Sequence, residues 1–209
     1  VGKFLAYFML TVCGLVFAFP LYWTINASLQ TWMELRSYTP KLWPEVPQWH
    51  NYVEVFQTHP FARWMLNSFL IIAIALPGEL ITAVSCAYGF ARFRFKGNGF
   101  WFMVMLGTMM IPGQVLLIPQ YLLFHHLGWV NTYIPLTIGA WLGGGAFAIF
   151  LLRQFILSLP RDLDEAAMMD GAGPFRTLWQ VLVPLMQPAL ITLGILAFLG
   201  HWNNFMGPF

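Results

Sequence analysis

Residues 97–152 read GNGFWFMVMLGTMMIPGQVLLIPQYLLFHHLGWVNTYIPLTIGAWLGGGAFAIFLL, without one Asp, Glu, Lys or Arg. A helix that crosses the hydrocarbon core of a bilayer needs roughly 20 mostly apolar residues, and this run holds two such lengths. Its middle, 120–132, carries Gln120, His125, His126, Gly128 and Asn131, which supply a polar turn between the two. Charge is equally absent from 4–33 and from 177–209, and 64–90 is interrupted only by Glu79. The spacing predicts five membrane helices at about 4–26, 67–90, 100–118, 133–150 and 185–205 in a single transmembrane domain, 1–209.

The whole chain agrees with that local reading. Of its 209 residues 59% are hydrophobic and 9% charged, and the mean hydropathy is +0.67; soluble domains carry roughly 25% charged residues. Backbone groups in lipid must find partners within the segment, and long apolar runs without alternation fit helices rather than a barrel. The fold class is all-α, a polytopic membrane helical bundle. Cys13 and Cys86 fall inside expected spans and read as packing residues rather than a disulfide or a metal pair. The formal net charge of +2 gives no basic footprint for nucleic acid.

Lys and Arg in short loops set orientation. Lys3, the trio Arg92, Arg94 and Lys96, and the trio Arg153, Arg161 and Arg176 share one side if the helices alternate. The other side holds Arg36, Lys41 and Arg63, offset by Glu34, Glu45 and Glu54. The amino terminus and the 153–184 loop are therefore expected in the cytoplasm, and the 27–66 loop and Phe209 outside. The first run continues apolar past any signal-peptide length without a small-residue cleavage site, so it reads as a retained helix. The 28–63 segment, with Pro40, Trp43, Pro44, Pro47 and Trp49, is too long for a minimal turn and is expected to be ordered against a partner.

The 153–184 loop is a compact polar island between spans. Pro160 suits a helix start, Asp162, Asp164 and Glu165 favour the positive end of the helix dipole, and Gly171 suits a left-handed stop. Pro174 opens a second short helix that Pro184 ends or kinks. Within it Glu165, Ala166, Ala167, Asp170, Gly171, Val181, Val183 and Pro184 resemble the cytoplasmic EAA loop of permease subunits in binding-protein-dependent ABC importers. That pattern is Glu-Ala-Ala, three residues, Gly, nine residues, Ile, any, Leu, Pro; the two valines are conservative departures. Asn67-Ser68, the run Ala87-Tyr88-Gly89-Phe90-Ala91-Arg92-Phe93, Met110-Ile111-Pro112, Leu127-Gly128, the run Phe150-Leu151-Leu152-Arg153-Gln154, and Trp202-Asn203-Asn204-Phe205 look like the carbohydrate-uptake branch. They are similar to the smaller permeases of the maltose and glycerol-phosphate importers.

The resemblance implies a type I importer permease fold in which six helices are usual, so a sixth is expected beyond the fifth. It implies that Glu165, Ala166, Ala167, Asp170, Gly171 and Pro184 belong to a coupling helix seated in a groove of a cytoplasmic ATPase. It further implies a second permease, two ATP-binding cassette subunits, and an extracytoplasmic solute-binding protein, in the inner or plasma membrane of a bacterium or archaeon. No cofactor is expected on this chain. Lys3, Lys41 and Lys96 are its only lysines, and none sits in the glycine loop that wraps phosphate, so ATP is expected on the partner ATPase. Transport without bond chemistry is the reading.

The polar residues within the spans leave alternatives open. Glu79 is a carboxylate that costs at least about 2.5 to 3.5 kcal/mol to place in lipid, so it faces the bundle interior, either lining a solute path or bonding a neighbouring helix. A proton- or ion-coupled carrier centred on Glu79 is the competing function, and a membrane enzyme using Glu79 with His201 or an exporter stand further off. His201, Trp202, Asn203 and Asn204 border a sugar path, since aromatic faces stack on sugar rings and amides match hydroxyls, or they form an interfacial Trp with amides capping a helix end. His125 and His126 are adjacent rather than at ligand spacing, so no metal site is expected. Arg92, Arg94 and Lys96 read most simply as topology-setting charges, with contact to the ATPase as the alternative.

Overall fold

The computed structural model describes residues 2–208; Phe209, expected on the outer side, lies outside the described residues. Among the described residues every regular element is helical. The chain divides into two compact units after Met65.

The first unit holds α1 (Gly2–Ser28), α2 (Trp32–Leu35) and α3 (His50–Thr58). α1 is apolar all round, and its long hydrophobic side chains are exposed within the chain, as a lipid-facing span requires. The segment that follows is ordered by its own polar groups. The Asn26 and Gln30 side-chain amides both donate to the Lys41 carbonyl, at 2.9 and 2.8 Å, and Tyr22 donates its hydroxyl to the Leu42 carbonyl. Asn26 and Gln30 are buried, at 2% and 3% exposure. Thr31 and Glu34 cap α2 reciprocally.

α4 (Phe61–Arg92) opens the second series of helices, followed by α5 (Asn98–Thr108), α6 (Gly113–His126), α7 (Ile134–Trp141) and α8 (Ala146–Ser158). Then come α9 (Asp162–Met169), α10 (Pro174–Leu185) and α11 (Gln187–Trp202). α1, α4 and the α7–α8 stretch, Ile134–Ser158, are long and apolar enough to cross a bilayer, and the count reaches five if each of the bent pairs α5/α6 and α10/α11 forms one span.

Three expected helices are interrupted, each for a local reason. The 100–118 stretch turns by 94° between α5 and α6, where Pro112 has no N–H to give and holds its predecessor away from helical backbone. α6 then runs through Gln120, His125 and His126, so the turn begins only at Leu127. The 133–150 stretch opens at residues 142–145. Gly144, at φ +61°, lies so close to α4 that a Cβ there would be 3.2 Å from the Glu79 carbonyl oxygen. The last span begins with an 82° bend between α10 and α11. Pro184 explains the winding just before that bend. Its ring excludes an ordinary bond to Gln180, and the helix widens to a π-turn over Thr177–Leu182, with Val183 N–H donating to Leu178 five residues back.

The core of this second unit lies where α4, α8, α10 and α11 meet. Ala83, Ala87 and Ala91 repeat every four residues on α4, small enough for close helix approach, and pack with Leu152, Ile156, Leu182 and Met186, all fully buried.

Candidate functional site

The 159–185 hairpin grows out of that core. α9 carries Asp162, Asp164 and Glu165 in its first turn. It ends in a Schellman motif: Ala172 N–H reaches the Ala167 carbonyl at 2.9 Å and Gly171 N–H the Met168 carbonyl at 3.0 Å. Gly171 sits at φ +79° with open space around its Cα, so its need for glycine is conformational rather than steric. Thr177 closes the second corner, its hydroxyl donating to the Gly173 carbonyl, and Leu178 and Leu182 anchor α10 in the core.

What the hairpin leaves outside is mixed in character. Glu165, Ala166, Asp170, Gly171 and Pro184 are exposed, and Ala167 is buried inward. Among them stand Met169 at 88% and Phe175 at 77% exposure, with Met168 at 59%. Charged neighbours Arg161, Asp162, Glu165, Asp170 and Arg176 keep this surface out of hydrocarbon, so these apolar side chains are not lipid-facing. An apolar knob ringed by charge is the composition of a protein contact.

The loop is tied to the membrane helices by charge. Arg92, the last residue of α4, places its Nε 2.9 Å from Asp164 Oδ2, and the two side chains retain 8% and 10% of their accessibility. The contact is off the line of a hydrogen bond, and neither Asp164 oxygen has a hydrogen-bond donor. Arg92 Nη2 also donates to the Leu159 carbonyl at 3.0 Å. Nearby Arg153 donates to the Phe90 carbonyl and lies 4.1 Å over the Phe102 ring. The topology-setting reading of Arg92 thus omitted its partner, and the only hint in the sequence was an acidic residue beyond what helix capping needed.

A second polar constellation lies within the spans. His201 Nε2 is 3.0 Å from Glu79 Oε2, with both side chains at 18% exposure, so the carboxylate is bonded to a neighbouring helix. His201 and Asn204 also line a cavity of about 860 Å³, together with Gln114, Gln120, Tyr121 and Asn131. No Asp, Glu, Lys or Arg lines it among the described residues. Trp202 and Asn203 stand apart from that lining. Trp202 packs on Phe69 and Phe198, and Asn203 donates its amide to the Leu199 carbonyl at the end of α11. His125 meets the Tyr121 ring at a tilt, and among the described residues no three His, Cys, Asp or Glu side chains converge as a metal site would need.

Residues 1–208 match the sequence profile of a family described as binding-protein-dependent transport system inner membrane component. The chain is 30% identical to the probable ABC transporter permease protein YurM of Bacillus subtilis, over 99% of this chain and 68% of that protein. It is 30% identical to the diacetylchitobiose uptake system permease protein NgcG of Streptomyces coelicolor, over 96% and 66%. Against the sn-glycerol-3-phosphate transport system permease protein UgpE of Agrobacterium fabrum the figures are 32%, 100% and 76%. In three dimensions it is similar to a chain of a bacterial ABC transporter involved in the import of the acidic polysaccharide alginate. That match has a TM-score of 0.83 and 25% identity and covers 97% of this chain and 71% of that one.

Proposed function

The chain belongs to the family of binding-protein-dependent transport system inner membrane components, and from that premise we propose that it is a transmembrane subunit of an ATP-driven importer for a carbohydrate or related polar solute. The relatives named for diacetylchitobiose, glycerol-phosphate and alginate uptake support that solute class. The subunit itself makes and breaks no bonds. It pairs with a second permease and works with two ATP-binding cassette subunits and an extracytoplasmic solute-binding protein. ATP is bound by the cassettes. The amino terminus and the hairpin face the cytoplasm, in keeping with the Lys and Arg bias.

The observation that carries the reading is the hairpin: exposed Met169 and Phe175 on a charged loop whose base is rooted in the core of the membrane helices. A knob held this way moves the spans when its socket moves, because packed cores respond as rigid bodies rather than by continuous deformation. Glu165, Ala166, Ala167, Asp170, Gly171 and Pro184 form the dock. His201 and Asn204, with Glu79 holding His201, border the solute path; Trp202 and Asn203 flank it.

The test is affinity capture of the tagged, full-length protein from native membranes in mild detergent, followed by mass spectrometry. We expect an ATPase and a second permease to be retained, and Met169→Asp to lose the ATPase while keeping the second permease. Recovery of neither partner, together with uptake driven by a proton gradient and abolished by Glu79→Gln, would mark a self-contained carrier instead.

A further inference from the structure

We propose that Arg92 is the positioning residue of the hairpin: it joins the end of α4, the end of α8 and the first turn of α9 into one rigid joint, so that the dock and α4 move as a unit. Its guanidinium makes two contacts to two different elements. Nη2 takes the Leu159 carbonyl, where α8 has just ended, and Nε faces the Asp164 carboxylate on α9. Arginine suits this task because its planar fork presents donors in fixed directions and keeps its charge when buried.

Asp164 shows why the joint is more than a surface ion pair. Its carboxylate is nine-tenths buried and receives no hydrogen bond. Arg92 is the cation that compensates it, and a buried carboxylate stripped of its cation is strongly destabilising where it stands. The first turn of α9 therefore stays against α4 while Arg92 is present and is pushed toward water when it is removed. The hairpin itself has few other tethers at that end. α9 has no side-chain cap on its first turn, Ala167 is its one other buried residue, and α10 is fixed separately through Leu178 and Leu182.

The reading of the hairpin as the ATPase dock supplies the consequence of this joint, whereas the joint itself stands on the contacts within the chain. The experiment separates the two. Amide hydrogen exchange is measured on the full-length protein in lipid nanodiscs, in the Met169→Asp background so that the dock is empty throughout, with and without Arg92→Gln. Exchange across 162–169 is expected to rise by at least about tenfold on Arg92→Gln, given the cost of unpairing a buried charge. Exchange in α11 stays unchanged. Asp164→Asn tests the same contact from the loop side should Arg92→Gln accumulate poorly. Combining the two substitutions should raise exchange no further than either alone, as expected of partners in one interaction. Unchanged exchange at 162–169, or strictly additive effects, overturns the joint. If exchange rises as stated while Arg92→Gln and Met169→Asp each retain the ATPase in capture, the joint stands and the docking role of the hairpin falls.

Discussion

Two loops of this protein carry most of its acidic residues, and they hold their charge in opposite ways. In the 159–172 segment the Asp164 carboxylate is withdrawn from water and set against Arg92, with no hydrogen bond of its own. In the 29–48 segment the Glu34 carboxylate is wrapped in donors: the N–H of Glu45, the N–H and hydroxyl of Thr31, and the Lys41 ammonium at 3.6 Å. The first arrangement is an all-or-none contact between distant parts of the chain and is expensive to break. The second is local and built from several small contributions, so it can be weakened by degrees. A loop that must transmit force benefits from the first kind, and a loop that has only to keep its own shape is served by the second.

The largest effect should come from Asp164→Ala. Removing one partner of a buried pair leaves the other charge uncompensated, at a cost of about 3–5 kcal/mol. Membrane abundance and thermal stability of the tagged chain should fall sharply, and the double variant Arg92→Met with Asp164→Val should regain much of both, because apolar replacements of similar volume need no compensation. Equal losses in the single and double variants would show that the contact is not electrostatic, and the contrast between the loops would collapse.

Next in size is Gly171→Val. No atom obstructs a side chain there, so the penalty is that of a β-branched residue at φ +79°, about 1–3 kcal/mol. Relief of that strain unwinds the Schellman stop and shifts Met169 relative to Phe175. The expected outcome is protein that reaches the membrane near its normal level but loses most ATP-dependent solute uptake. Gly171→Asn, which tolerates left-handed backbone better, should lie between the two. Full uptake in the valine variant would mean that the precise course of the hairpin is immaterial.

Much of this is legible in the sequence alone. Spans were readable because hydrocarbon excludes charge, so residues 4–33, 97–152 and 177–209 announce themselves by what they lack. The hairpin was readable because Pro160, Gly171, Pro174 and Pro184 each act on the backbone locally. The pairings were not. Glu79 and His201 meet across 122 residues, and Arg92 finds Asp164 only when α4 and α9 are brought together; no local pattern encodes either meeting. The interruptions at 109–112 and 142–145 were also missed, since a window that counts apolar residues is blind to a proline or three glycines inside it. The 28–63 segment, expected to be ordered against a partner, also carries order of its own that no composition shows: Gln30 is buried, as is Asn26 just before it, and α2 is capped.

The smallest effect concerns that self-ordered loop and is a titration. The hydrogen bond from the Glu45 N–H, followed by those from Thr31, lowers the Glu34 pKa from 4.5 to about 2, because each bond favours the charged carboxylate. A group whose folded pKa is depressed contributes stability that is fully present above its unfolded value and disappears as pH falls through its folded one. The 29–48 segment should therefore loosen between about pH 4.5 and 2, followed by the fluorescence of Trp32 and Trp43 in variants lacking other tryptophans nearby. Glu34→Gln should begin looser at neutral pH and show no further change across that window. Lys41, held in its charged form chiefly by Glu45, stays protonated throughout and adds no second transition. A variant that still titrated between those limits would place the sensitivity on another carboxylate, and the claim that Glu34 organises this loop by accepting donors would have to be abandoned.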